Sequence, residues 1–217
     1  MLLIQKGREP ASLTAYRKTP FAYYDGCNKS DIRKKLLAEQ GCLCAYCMRR
    51  IHEKNTKIEH WFPEAELSER GKLNYSNMLG VCSGHREGLP GKYDTCDASK
   101  GDTKLTLDPR RVDHIRRIKY RTKNGEIYSD DPALNRDLNE VLNLNCMEQS
   151  LPLNRKAVLD RVIQSLASAH KGREREWTVS DLLPFKRIYE SAPNGERKEY
   201  AGIVLWYLEK WIRQCKS

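Results

Sequence analysis

Four cysteines set the strongest limit on what this chain can fold into. Cys44-Ala45-Tyr46-Cys47 has the spacing of a metal knuckle, and Cys82 and Cys96 follow it. Two intervening residues let both thiolates of a CxxC face one ion at about 2.3 Å. The pair Cys42-x-Cys44 competes for the same ion, but a single spacer residue points neighbouring thiols apart. Redox chemistry is the other reading of a CxxC. Two further cysteines closing a module of this size favour zinc. The chain has 8 cysteines, which in an exported protein would suggest disulfides. Its start, Met1-Leu2-Leu3-Ile4-Gln5-Lys6, is too short for a signal peptide, so a cytoplasmic zinc site is expected. Cys27, Cys42, Cys146 and Cys215 are then ordinary thiols.

A chain of 217 residues with 39% hydrophobic content can bury a core of its own and does not depend on its cysteines alone. No apolar run approaches the ~20 residues of a membrane span. The formal net charge is +10, which points to a polyanionic partner. That charge is spread evenly, with 20 Lys+Arg against 15 Asp+Glu in residues 1–113 and 19 against 14 in residues 114–217.

Taken in order, residues 1–29 read as an irregular arm with Tyr16, Tyr23 and Tyr24 as packing handles. Residues 30–41 carry an N-cap Ser30, an early acid and a terminal Gly41, with Ile32, Leu36 and Leu37 on one face, so a short helix is expected. After the knuckle, residues 49–51 and 57–61 read as two short strands around a polar turn. Gly84, Gly88, Pro90 and Gly91 make residues 83–95 an extended loop inserted between two metal ligands. Residues 97–101 start a short helix or turn. From Arg110 to Lys123 there are seven Lys+Arg against one Asp, and the alternation of residues 118–122 before Lys123-Asn124-Gly125 predicts a β-hairpin. Helical periodicity follows over 135–145, over 155–170 and, most strongly, over 196–215, with Pro152 as a break. Trp206 falls off the main apolar face of the last helix, which favours a protein contact.

Between the cysteines lie His60, Asn77, Glu59, Asp97 and Lys100. A phosphodiester resists hydrolysis because water is a weak nucleophile and the leaving alkoxide is poor. A site that cleaves one needs a base for the water and a cation for the developing charge. Imidazole titrates near neutrality, so His60 suits the base. Glu59 faces away from His60 on an ideal strand and matters if Asp97 meets it. Such oxygen ligands favour Mg²⁺ or Mn²⁺ over zinc. Asn77 would hold the loop or ring of His60, and Lys100 would sit near the phosphate. The plainer readings are a packed core histidine, a turn asparagine and surface acids.

This order of Cys44-x2-Cys47, Glu59-His60, Asn77 with Leu79, Cys82 and Cys96 with Lys100 resembles the HNH endonuclease module. Residues 57–61, 74–79 and 96–101 resemble more closely the HNH subunits of Septu and retron-linked anti-phage systems. The resemblance covers roughly residues 30–110. It implies an α+β fold: a ββα-metal (HNH) nuclease module stabilised by zinc over residues 30–113, then a β-hairpin and a mostly helical C-terminal region over 114–217. It implies His60 as general base, Asn77 as its positioning residue, Glu59 and Asp97 as ligands of a catalytic Mg²⁺ or Mn²⁺, and Cys44, Cys47, Cys82 and Cys96 around a structural zinc. DNA or RNA is the implied substrate and an ATPase subunit the implied partner, with a retron reverse transcriptase and its msDNA in the retron-linked cases. Three positions depart from the family. Glu59 stands where Asp is usual, Asp97 stands where His or Asn is usual, and thirteen residues separate Cys82 from Cys96. Within that insert His85, at Cys82-x2-His85, is an alternative zinc ligand to Cys96 or a further catalytic histidine. An RNA-cutting toxin acting on tRNA and a zinc-stabilised nucleic-acid-binding protein without catalysis are the rival functions.

Overall fold

The computed structural model describes residues 1–169 and 177–215. The chain is α+β, with two small antiparallel hairpins set among helices. The arm contains a short helix, α1 (Ala11–Tyr16), and leads to α2 (Lys29–Gln40). Asn28 rather than Ser30 caps α2, accepting from the Asp31 amide, and Gly41 ends it in the left-handed region. The buried face of α2 is Ile32, Leu36, Leu37 and Gln40. Each aliphatic side chain there contributes about 2 kcal/mol by leaving water.

Strand β1 (Lys57–His60) is followed by a one-turn helix, α3 (Glu69–Lys72), and then by β2 (Met78–Val81). The strands pair antiparallel, with Lys57 opposite Val81 and His60 opposite Met78. The expected strand at residues 49–51 does not form. Its backbone closes the knuckle instead, through Cys44 N to Arg49 O and Ile51 N to Cys42 O, and only the Leu43–Arg50 bridge is strand-like. Gln40 covers the outer edge of β2, donating to Gly80 O and accepting from Gly80 N, both at 2.7 Å. That edge is therefore satisfied without a third strand.

Helix α4 (Cys96–Lys100) follows, then α5 (Val112–Arg116) and the expected hairpin of β3 (Ile118–Tyr120) and β4 (Ile127–Ser129). The C-terminal helices are α6 (Pro132–Arg136), continued by a wider turn over Asp137–Val141, then α7 (Leu151–Ala169), α8 (Val179–Glu190) and α9 (Ala201–Gln214). Pro152 does not break α7, because it sits in the first turn, where no intrahelical donor is needed. His170, expected at the end of that helix, lies outside the described residues. Trp206 is half-buried and packs edge-on against Tyr120.

One hydrophobic cluster runs from Met1 and Ile4 through Leu37, Leu79 and Leu107 to Leu138, Leu159 and Leu208. Residues on both sides of position 113 share it. Arg155 is 1% exposed inside this region. Its guanidinium donates to Gly125 O at 2.6 Å, Leu144 O at 2.9 Å and Asn145 Oδ1 at 2.7 Å, tying α7 to the hairpin turn and to the segment before it. Arg155→Met leaves these buried acceptors without donors. It is expected to lower the unfolding free energy by about 3 kcal/mol, read as a shift of the urea midpoint at constant slope. No helix among the described residues is long and apolar enough to cross a membrane.

Candidate functional site

The four ligand atoms of Cys44, Cys47, Cys82 and Cys96 lie within 4.8 Å of one another, and all four residues are buried. Sγ of Cys44 is 3.9 Å from Sγ of Cys96, and Cys47 and Cys82 are 3.8 Å apart. Ligands about 2.3 Å from a tetrahedral zinc stand about 3.8 Å from one another, so the cluster can hold such an ion. Burial raises the Cys44 thiol and the neighbouring thiols raise Cys96, while the hydrogen bonds of those neighbours lower Cys82. Four thiolates cannot share this volume without a cation, which is what a thiolate metal site requires.

Local geometry explains how distant cysteines meet. Met48 and Cys42 adopt positive φ, folding the knuckle back so that Met48 N reaches Cys44 O, and Ala45 N bonds to Gly80 O on β2. The long insert between Cys82 and Cys96 is closed at its base, where Thr95 N donates to Gly84 O at 2.9 Å. A Cβ on Gly84 would lie 1.9 Å from Thr95 O, and φ there is +69°, so only glycine fits. His85 is half exposed and pairs with Asp94, Nδ1 to Oδ1 at 2.7 Å, outside the sulfur cluster. Cys96 completes the four-sulfur group.

Beside the sulfurs, Glu59 and Asp97 converge. Glu59 is 6% exposed, and its carboxyl meets Lys100 Nζ at 2.7 Å and the Tyr46 hydroxyl at 3.3 Å, with the Asp97 carboxyl close enough to act on it. Burial and the Asp97 carboxyl push the Glu59 carboxyl up to about 8, against the pull of Lys100. Two carboxylates held this close resist ionising together, and a divalent cation would relieve that. Asp97 also pairs with Lys57 at 3.2 Å. Lys57 is a residue the sequence reading passed over, although the two-residue period of a strand puts it on the Glu59 face.

Lys100 is not placed to meet a phosphate. It is 2% exposed, and besides Glu59 it donates to His60 O and Gly101 O, both at 3.2 Å. It fastens β1 to α4. Lys57, half exposed at the rim, holds Asp97 from the solvent side.

His60 lies on the other face of β1, with Ile58, and is 4% exposed. Its ring packs edge-on against Tyr24 at 4.8 Å. Nε2 is 2.8 Å from Lys72 O and Nδ1 is 3.4 Å from Glu64 Oε2. A carbonyl accepts only, so Nε2 carries a hydrogen and Nδ1 is the nitrogen left to take a proton. Asn77 accepts from Phe62 N at 2.8 Å and donates to Phe62 O at 3.0 Å, while its own carbonyl accepts from Trp61 N. It thereby fixes the chain that leaves His60. The sequence-predicted residues thus form two groups. Glu59, Asp97 and Lys100 gather on one face of β1, and His60, with Asn77 holding its exit loop, lies on the other.

Compared with known proteins, the chain matches no family model and no curated protein.

Proposed function

We propose that this chain is a metal-dependent endonuclease of HNH type, hydrolysing phosphodiester bonds of nucleic acid. The observation that carries this reading is the meeting of Glu59 on β1 with Asp97 on α4, directly beside the buried four-cysteine group. The order β1, β2, α4 around that pair is the order a ββα-metal module requires. Zinc at the four cysteines would be structural, because all four positions are protein ligands and none is open. Mg²⁺ or Mn²⁺ between Glu59 and Asp97 would supply charge stabilisation for the departing oxygen. Lys57 would draw the phosphate toward that pair. The resemblance gives His60 as the base for the attacking water, with Nε2 held by the Lys72 carbonyl, Nδ1 beside Glu64 and the exit loop held by Asn77. An ATPase partner belongs to the same proposal through the resemblance of residues 57–61, 74–79 and 96–101.

One observation favours a second reading, a nucleic-acid-binding module without catalysis. His60 is enclosed and faces away from the Glu59 and Asp97 carboxylates. Incubating the purified chain with plasmid, single-stranded DNA and total RNA separates the two. Cleavage that needs Mg²⁺ or Mn²⁺ is expected. Binding to any of these substrates with no cleavage under either cation would establish the second reading.

A further inference from the structure

One aromatic residue stands out of the fold where the chain gains nothing from it. Phe21 is 98% exposed and its φ is +58°. A bulky non-glycine residue in the left-handed region is strained, and a fully exposed ring forgoes the burial that would offset the strain. Its neighbour Tyr23 is also exposed. Strained, unburied side chains of this kind gather at functional surfaces.

Two cations, Arg17 and Lys18, stand just before Phe21 in the chain. With Arg70 of α3 and Thr14 they line a cleft. An adjoining cleft shares Thr14 and Lys18 and adds Arg8 and Glu9. Arg17 is paired with Glu9 at 2.6 Å. Arg8, Lys18 and Arg70 are exposed and have no ion-pair partner among the described residues. Tyr24, three residues after Phe21, packs on the His60 ring, and Lys72, two residues after Arg70, offers the carbonyl that holds His60 Nε2.

We propose that Arg8, Lys18, Arg70 and Phe21 form a platform for single-stranded nucleic acid, with phosphates on the three cations and one base stacked on the Phe21 ring. Only an unstacked base offers a free face to such a ring, so a single strand fits where a closed duplex does not. Stacking is indifferent to the sugar, and DNA and RNA share this chemistry. The inference names the substrate class of the nuclease reading and rests on that reading for the kind of ligand.

The test is fluorescence anisotropy of the full chain with labelled oligothymidylate, oligouridylate and a duplex of equal length, without added Mg²⁺ or Mn²⁺. Single strands are expected to bind more tightly than the duplex. Phe21→Ala should weaken single-strand binding roughly tenfold, and Phe21→Trp should restore it. Lys18→Ala and Arg70→Ala should each flatten the slope of log affinity against log salt by about 0.7. Phe21 is too exposed for its loss to unfold the chain. A Phe21→Ala protein that binds as the parent does, a preference for duplex, or unchanged salt slopes would each overturn the platform. Cleavage by the parent is scored separately. Tight, Phe21-dependent binding without cleavage defeats the nuclease reading and upholds the platform, whereas cleavage with Phe21-independent binding does the reverse.

Discussion

Serine in place of Cys96 is expected to strip the metal from the chain and unfold the region around β1, β2 and α4. Cys96 is fully buried, its sulfur is 3.9 Å from that of Cys44, and its amide donates to Leu142 O. Loss of one thiolate leaves three buried sulfurs around an incomplete site. In a structural zinc site the binding energy, about 10 kcal/mol or more, is folding energy. A domain's whole stability is only about 5–15 kcal/mol, so partial compensation by the hydrophobic cluster cannot rescue the local fold. His85→Ala is the control and should keep one zinc per chain, because its ring is engaged with Asp94. Metal content by mass spectrometry and thermal unfolding by circular dichroism decide the matter. A Cys96→Ser protein with full zinc and an unshifted Tm would show that the ligand set is wrong.

Asp97→Asn is expected to abolish divalent-dependent cleavage, lowering kcat by roughly 10²-fold or more, while the chain stays folded. Asp97 lies at the rim of the cluster and pairs with the half-exposed Lys57, so the amide should be tolerated. High Mn²⁺ should return part of the activity if Glu59 still holds the ion. His60 needs two substitutions, because its ring is packed in the fold as well as being the proposed base. His60→Ala removes the proposed base but also leaves Lys72 O without a donor. His60→Gln can keep a donor to that carbonyl while offering no base. Both should lose roughly 10²-fold in turnover, with His60→Gln the more stable of the two. Undiminished cleavage by His60→Gln would remove the histidine from the mechanism, and undiminished cleavage by Asp97→Asn would remove the carboxylate pair.

What the sequence disclosed divides along the line between local and distant determinants. The CxxC knuckle, the cap and end of α2, and the hairpin of β3 and β4 follow from residues a few positions apart, and they form close to where the pattern puts them. The partner of β1 was not legible. Residues 49–51 carry as good a strand signal as Met78–Val81, and the choice falls to the knuckle, which takes up the backbone bonds of Arg49 and Ile51. Helix α8 was hidden by Pro184 in its interior, and Asp181, reciprocally bonded with Thr178, starts it all the same. Lys100 was misjudged for a different reason. A lysine in a basic chain reads as a phosphate contact, and only tertiary structure reveals that its protons are spent on Glu59 and two carbonyls. The side of β1 that His60 takes was foreseeable from strand alternation, whereas its enclosure by Tyr24 and Lys72 was not.

The clasp between Gly84 and Thr95 turns the insert into a port. Because the two ends of that loop are bonded at its base, the geometry of Cys82 and Cys96 is settled before the chain reaches its tip. Asn143 Nδ2 donates to Asp94 O and holds the returning limb as well. Glu87 and Gly88 are exposed, and a Cβ at Gly88 would meet no atom within 4 Å. Doubling the length of such a loop costs only about 0.6 kcal/mol. A fluorescent reporter or an affinity handle spliced between Glu87 and Gly88 would ride on the molecule without being felt at the sulfurs. The same insulation lets the segment be lengthened, shortened or redecorated while the four-sulfur group keeps its geometry.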